Sequence, residues 1–182
     1  MVFTPTSKAE LKTAVNKWWT IANSGYGGAL ESANTYSGSE YQGNPNTWDV
    51  SNITDMSYLF NNLPASYLNS NFLDLTTWDT SNVTSMESMF DAFDWAPYED
   101  GPGFTLALNT HQVTVNGKTY TAWDVSKVQN MSGMFTQTNF YRSTLNLSNW
   151  DTSSVTDMSN MFNTLNSRWQ TFSILTPINL NT

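Results

Sequence analysis

A thirteen-residue pattern of apolar and polar positions occurs four times along the chain, and we call it the repeat motif. Each copy opens with Trp-Asp and has Ser at its fourth position, Met at its ninth and Phe at its thirteenth. The four copies cover residues 48–60, 78–90, 123–135 and 150–162. Self-similarity of this kind is the signature of a repeat architecture, in which each unit buries its apolar side against its neighbours.

The apolar positions of each copy have the spacing of one helix face. In the second copy, Val83, Met86 and Met89 follow one another at intervals of three, and Phe90 closes the run. That spacing is typical of a short amphipathic helix. Asp, Ser, Thr and Asn precede each apolar run, and such side chains accept hydrogen bonds from the first turn of a helix. Each copy is therefore predicted to contain a polar turn followed by a short helix.

A short alternating stretch precedes the motif. Leu73-Asp74-Leu75 comes before the second copy, and Leu145-Asn146-Leu147 comes before the fourth. Alternation with a period of two indicates a strand with one buried face. We therefore predict an α/β repeat solenoid that is leucine-rich-repeat-like, with one short strand and one short helix in each repeat.

The copies divide the chain into two regions. Residues 1–47 are predicted to form an N-terminal capping helix, over residues 6–23, and an irregular lead-in loop. Residues 48–182 are predicted to form the four-repeat solenoid, with an insertion at 91–122 and an incomplete fifth repeat at 172–182. The helix is expected to cover the open end of the first repeat, because repeat arrays need a cap there.

The insertion is one candidate for contact with a partner. It contains Trp95 and Tyr98 within an acidic run, followed by an alternating segment with Asn116 and Gly117 at its centre. Asn-Gly between two alternating arms is the strongest short signal for a β-hairpin. The alternative is a loop that serves no contact.

The C-terminal stretch is a second candidate. Ile178 and Leu180 match the strand that precedes the fourth copy, but no motif follows them in this sequence. A strand in this position has an unpaired edge. We expect another copy of the chain, a subunit of a larger particle or the insertion itself to cover it.

The residues that recur with the repeat are interpreted as structural. The aromatic positions are predicted to form the repeat core: Trp48, Phe60, Trp78, Phe90, Trp123, Phe135, Trp150 and Phe162. The carboxylates are predicted to be turn or cap residues: Asp49, Asp79, Asp124 and Asp151. Calcium is the competing interpretation, because Asp and Asn oxygens form ion ladders in some repeat arrays. The glycine-rich loops of those arrays are missing here.

Composition excludes several classes of partner and chemistry. The formal net charge of −8 argues against nucleic acid and anionic membrane surfaces, which attract Lys and Arg. No stretch reaches the length of a membrane span. The chain has no Cys, so disulfides, zinc–thiolate sites and cysteine nucleophiles are excluded. With a single His, His111, and no nucleophile-elbow or phosphate-loop motif, we predict no catalytic residue, metal or cofactor.

The repeat motif resembles a known family. The phrases that begin at Trp78 and Trp150 are similar to the repeat of BspA-type leucine-rich-repeat surface proteins of bacteria, a "lipoprotein" repeat also found in mycoplasmas. The similarity covers about residues 45–182, and the N-terminal segment is similar to the usual entry helix of that family. The resemblance implies a leucine-rich-repeat-like solenoid and a non-enzymatic surface, adhesion or structural role.

These observations favour a non-enzymatic repeat protein that acts as a structural or protein-binding subunit of an extracellular assembly, on a virion, a phage particle or another surface structure. A bacterial cell-surface adhesin is the alternative. A carbohydrate-active enzyme that uses Asp94 or Glu99 of the acidic insertion is a third. The N-terminus has no basic and apolar signal segment, so we expect assembly inside the cell or leaderless release.

Overall fold

The computed structural model describes residues 2–23, 43–63, 73–93, 105–138, 144–163 and 173–175. Two small sheets are present, a parallel one in the order β1-β4-β5 and an antiparallel pair, β2-β3. The elements in chain order are helix α1 (Lys8–Asn23), a 3-10 turn (Pro45–Thr47), and strands β1 (Thr105–Ala107), β2 (His111–Val115), β3 (Lys118–Ala122), β4 (Thr144–Asn146) and β5 (Ser173–Leu175).

The predicted solenoid of strand-plus-helix repeats is wrong. In the described part of the chain there is one α-helix, α1, and a few short strands in two small sheets, so no copy of the motif contains a helix. The eleventh residue of every copy has a positive φ, which ends any right-handed helix there. These residues are Tyr58 (60°), Ser88 (49°), Gly133 (62°) and Asn160 (56°).

A series of tight turns takes the place of the predicted helix. The N–H of Leu59 donates to the carbonyl of Met56, three residues back, at 3.3 Å. Tyr58 occupies the third place of this four-residue turn, where a type II turn requires a positive φ. The apolar residues are three positions apart because successive turns place them on the same side. The same interval also fits one face of a helix, which is why the sequence pattern predicted a helix.

Backbone hydrogen bonds join each copy of the motif to the next. From the first copy, Met56 N donates to Ser85 O at 2.9 Å, Tyr58 N to Glu87 O at 2.9 Å and Phe60 N to Met89 O at 2.8 Å. The same positions join the later copies: Met86 to Asn130, Ser88 to Ser132, Phe90 to Met134, Met131 to Asp157, Gly133 to Ser159 and Phe135 to Met161. These donors are thus committed to a neighbouring copy and cannot bond four residues back.

Aromatic side chains lie in rows across the copies. The rings of Phe60 and Phe90 are 5.0 Å apart and nearly parallel, at 2°. Phe90 stacks on Phe135 at 5.5 Å, and Phe135 on Phe162 at 5.6 Å. In a second row, the ring of Trp48 stacks on that of Trp78 at 6.4 Å. Because the rows run through the buried interior, they join the copies into one apolar core.

Helix α1 covers the first copy. Ser7 Oγ accepts from Glu10 N at the start of the helix, at 3.3 Å, which satisfies one of the free N–H groups there. Leu11, Val15 and Trp18 are buried in the core. Lys12 Nζ donates to Tyr58 O at 3.0 Å and to Leu59 O at 2.8 Å. Burial, and then the charge of nearby Lys8, lower the pKa of Lys12.

The parallel sheet extends the array on its C-terminal side. Leu106 of β1 pairs with Leu145 of β4, which pairs in turn with Ile174 of β5. Strand β1 therefore corresponds to the strand before the fourth copy, although it lies within the predicted insertion at 91–122. Ile178 and Leu180 lie outside the described residues. Among the residues that are described, no helix combines the length and apolar character needed to cross a membrane.

We expect Trp78→Ala to lower the free energy of unfolding by about 3–5 kcal/mol, because it empties a large core position. Trp78 is fully buried, and its indole N–H donates to Pro45 O at 2.8 Å. Chemical denaturation measures the change. Tyr58→Ala is the control, since Tyr58 is 45% exposed and its loss should cost much less. Equal losses for the two variants would contradict this packing.

We expect acid to weaken the contact between α1 and the first copy. Partial burial opposes ionisation of Asp55, but hydrogen bonds from Ser57 and the interaction with Lys8, 3.0 Å away, lower its pKa overall. A lowered pKa means that the unfolded chain binds this proton more readily. The contribution of Asp55 is therefore present above the unfolded pKa and is lost as pH falls through the folded pKa.

Asp55→Asn tests this dependence. Asn130, at the same position of the third copy, accepts from Ser132 N at 2.8 Å, so an amide supports the same turn. The variant should lose less unfolding free energy than the parent between about pH 5 and pH 2. Denaturant titrations at several pH values measure both slopes, and identical slopes would contradict the assignment.

Candidate functional site

A β-hairpin interrupts the third repeat of the array, between strand β1 and the third copy of the motif. Leu108 N donates to Asn146 O at 3.0 Å and Thr110 N to Ser148 O at 3.0 Å. The chain therefore stays in register with the stretch before the fourth copy up to Thr110. Residues 111–122 then leave the array as β2 and β3 before the third motif opens at Trp123. The chain rejoins the array at Trp123, whose backbone N–H donates to Trp78 O at 3.0 Å.

The predicted hairpin is confirmed. Val113 pairs with Tyr120 and Val115 with Lys118 in antiparallel register. Asn116 and Gly117 form the turn with φ of 51° and 79°, and both residues have positive φ in the type I′ turn that suits a hairpin. A Cβ added at Gly117 would meet nothing within 4 Å, so this glycine serves the backbone conformation.

A groove of about 250 Å³ lies between the inner face of the hairpin and the first two copies. We call it the hairpin groove. Its lining combines apolar side chains, two carboxylates, one ammonium group and one phenol. The lining residues are Val2, Thr47, Trp48, Asp49, Val50, Asp79, Val115, Asn116, Lys118 and Tyr120.

Charged and polar groups join the hairpin to the array at this groove. Lys118 Nζ lies 3.5 Å from Asp79 Oδ2 and 5.3 Å from the centre of the Tyr120 ring. The Lys118 side chain is 61% exposed, whereas that of Asp79 is 11% exposed. The Tyr120 hydroxyl donates to Thr77 O. Burial, followed by the charges of Asp79 and Asp49, raises the pKa of Tyr120, so the phenol keeps the proton that it donates.

The recurring carboxylates close turns within their own copies. Asp79 Oδ1 accepts from Ser81 N at 3.2 Å and from Ser81 Oγ at 2.7 Å. This two-residue contact is an Asx turn, and it caps no helix because no helix follows. The same contact joins Asp49 to Ser51, Asp124 to Ser126 and Asp151 to Ser153.

The structure separates the predicted site residues. Asn116 and Gly117 are exposed at the hairpin tip, whereas Trp95, Tyr98, Ile178 and Leu180 lie outside the described residues, as do Asp94 and Glu99. Of the predicted core residues, Phe162 is partly buried, and the following are buried: Trp48, Phe60, Trp78, Phe90, Trp123, Phe135 and Trp150.

The single histidine serves the hairpin base. His111 Nδ1 lies 2.8 Å from Asn109 O, a donor distance for the tautomer with a proton on Nδ1. Within the described ranges, no three His, Asp or Glu side chains converge in a way that could hold a metal ion.

Sequence reasoning missed the groove residues Lys118, Tyr120 and Val2. The alternation of the hairpin could have identified Tyr120 and Lys118, since both are cross-strand partners of inward-facing valines. Val2 had no such signal, because its position depends on the path of the chain before α1.

We expect Asp79→Ala to destabilise the protein by about 1 kcal/mol, the usual net value of such hydrogen bonds. Asp151→Ala should cost less, because Asp151 is exposed and its turn lies at the edge of the array. Denaturation of both variants measures the difference. Asp79→Asn tests the two contacts separately. The amide oxygen of Asn can still accept from Ser81 and keep the turn, whereas the ion pair with Lys118 is lost. A larger loss for Asp151→Ala would contradict this ranking.

Comparisons with known proteins identify a family but no characterised relative. The family described as "Mycoplasma protein of unknown function, DUF285" matches residues 28–95 and 105–175, which together make up more than half of the chain. No curated protein and no solved structure matches the sequence. The two matched stretches include all four copies of the motif and the hairpin. The chain is therefore a member of the DUF285 family, a repeat family of unknown function.

Proposed function

We propose that this chain is a non-enzymatic repeat protein that binds a protein partner as a structural or adhesive part of an extracellular assembly. The observation that carries the proposal is the hairpin, which breaks the repeat and forms a groove with it. The repeat motif also resembles that of BspA-type bacterial surface proteins, and we propose that role for this family member. A subunit of a virion or phage particle is the other form of the proposal.

The hairpin has the features of a contact element. Its outer face is exposed and polar, and this face is ordered by its own bonds, with Gln112 Nε2 donating to Thr121 Oγ1 at 2.6 Å and Thr114 Oγ1 lying 2.8 Å from Thr119 Oγ1. Its inner face packs against the array through Val113 and Tyr120. Because a rigid base holds an exposed tip, a partner would meet a preformed surface at low entropic cost.

The groove offers apolar and charged contacts in a small space. The Val115 and Trp48 side chains supply apolar walls, and Lys118 supplies an exposed charge. The ion pair between Lys118 and Asp79 is long, at 3.5 Å, and its lysine side chain is 61% exposed, so the ammonium group can move to a partner at little cost. These properties favour selective binding of a polypeptide over chemistry on a substrate.

The hydrogen bonding of the repeated carboxylates supports a structural role for these groups rather than a catalytic one. Asp49 and Asp79 line the groove, and each uses one oxygen to accept from a serine two residues ahead. Acid–base catalysis requires carboxylates whose protons can move during the reaction. The period of the repeat places these groups in turns, which is a structural task.

Variants of the groove test the proposal. Val115→Asp combined with Lys118→Glu would introduce two unfavourable charges into the groove. Thr114→Asp combined with Thr119→Glu introduces two carboxylates on the opposite, exposed face of the same hairpin and is the control. Because the groove variant also removes the positive charge of Lys118, Lys118→Gln alone is measured beside them. Circular dichroism of both variants first establishes that they fold like the parent.

Binding of the labelled chain to isolated cell envelopes and to purified virus particles is then measured. We expect saturable binding to one of them that the groove variant weakens at least about tenfold and the control variant retains. Binding to envelopes assigns the adhesin role, and binding to particles assigns the virion role. Equal binding by all variants would contradict a groove contact. Turnover of polysaccharide that is lost in Asp94→Asn or Glu99→Gln would replace the proposal with an enzyme.

A further inference from the structure

The turn of the β-hairpin contains an Asn-Gly pair, which occurs nowhere else in the sequence. Asn116 and Gly117 are both exposed, and Asn116 also lines the hairpin groove. The Asn116 side chain and the backbone N–H of Gly117 form no hydrogen bond with any residue that the structure describes. The side-chain amide and the backbone nitrogen that follows it are therefore accessible to water and to each other.

The space around Gly117 favours a reaction between these two groups. Glycine has no Cβ, so it removes the main steric obstacle when a backbone nitrogen approaches the side-chain amide of the preceding asparagine. A Cβ added at Gly117 would meet nothing within 4 Å, so no neighbouring residue fills this space either. The strands hold the turn only at its base, where Val115 pairs with Lys118. Rotation within the turn can therefore bring the two groups together without displacing another residue.

Two exposed asparagines of the repeat motif provide an internal comparison. Asn52 and Asn82 are followed by Ile53 and Val83, which are buried and branched at Cβ. The backbone N–H groups of Ile53 and Val83 each donate to a carbonyl three residues back, at 2.9 Å. A branched side chain and a hydrogen-bonded nitrogen both oppose attack on the preceding amide, so these asparagines lack the features that Asn116 has.

We propose that Asn116 is a site of spontaneous deamidation, which slowly changes the charge and the turn of the hairpin beside the groove. The backbone nitrogen of Gly117 loses its proton and attacks Asn116 Cγ. The new N–Cγ bond closes a succinimide ring as the bond from Cγ to Nδ2 breaks, and ammonia leaves with the proton. Water then adds to one of the two imide carbonyls and reopens the ring, which leaves aspartate or isoaspartate at position 116.

The two products change the groove in different ways. Aspartate tolerates the left-handed conformation that this turn requires, so the hairpin keeps its shape. Its side chain is ionised near neutral pH and adds a third carboxylate to those of Asp49 and Asp79. Isoaspartate adds one carbon to the backbone of the turn, which disturbs the pairing of Val115 with Lys118 because turn length sets the register of a hairpin. We expect both products to weaken partner binding, a consequence that rests on the proposed groove contact.

Incubation of the full chain at mildly alkaline pH, followed by peptide mapping with mass spectrometry, tests the modification. We expect the peptide that contains Asn116 to gain the mass of one deamidation, while those that contain Asn52 and Asn82 stay unchanged. The rate should rise with pH, because the attacking nitrogen must lose a proton. As a second readout, the amide resonances of Val115 and Lys118 should shift in step with the conversion.

Asn116→Gln is the matched control. Its amide is one carbon further from the backbone and would have to close a larger ring, so the hairpin peptide of this variant should gain no mass. Circular dichroism establishes that the variant folds like the parent. A folded parent in which Asn116 converts no faster than Asn82 would overturn the inference. Conversion of Asn116 in the urea-unfolded chain but not in the folded chain would also overturn it, because the hairpin would then protect the pair.

Asn116→Asp separates the modification from its effect on binding. This variant should weaken the binding to envelopes or particles, whereas Asn116→Gln should retain it. Equal binding by the two variants would contradict the effect on the groove. Absence of binding by the parent would contradict the hairpin-groove proposal, and the mass measurement would still decide whether Asn116 is modified.

Discussion

The structure depends on the row of backbone hydrogen bonds that joins each copy of the motif to the next. In the first three copies, every second N–H from the ninth to the thirteenth motif position donates to the following copy, and the residue at the eleventh position has a positive φ. The strain of a positive φ at Tyr58 or Ser88 is offset because the turn aligns donors with acceptors and places the phenylalanines in register. At Gly133, a Cβ would lie 3.0 Å from Ser88 Oγ, so little space remains there between the second and third copies.

The tryptophans provide a second connection between neighbouring repeats. The indole N–H of Trp78 donates to Pro45 O and that of Trp123 to Leu75 O, each at 2.8 Å, and Trp150 makes the equivalent bond to Leu108 O. Each bond reaches the stretch that precedes the previous copy. A large apolar ring with one N–H satisfies both requirements of this place, since it fills the core and pairs a buried carbonyl. The hairpin can therefore project from the third repeat while Trp123 stays bonded to the repeat before it.

The array has a direction, so its first and fourth copies differ in the backbone groups that they present on their outer sides. The first copy presents carbonyls outward, and the lysine of α1 donates to them. At the fourth copy, the backbone N–H groups of Met158, Asn160 and Phe162 have no acceptor among the residues that the structure describes. The hairpin groove is formed against the first two copies, whereas these N–H groups belong to the fourth copy. These two surfaces are chemically distinct, because one is a mixed pocket and the other is a backbone edge.

The local sequence by itself determined the register of the four copies and the hairpin turn at Asn116 and Gly117. Both depend on contacts within a few residues or on strict repetition, so they can be read from the chain. Whether Val83, Met86 and Met89 lie on a helix or on successive turns was decided only by the tertiary structure. An interval of three fits both, and the choice depends on whether the N–H groups bond within the copy or to a neighbour 30 or more residues away. The groove was likewise decided only by the tertiary structure, because Val2, Asp79 and Lys118 are distant in sequence and come together only when the repeats pack against one another.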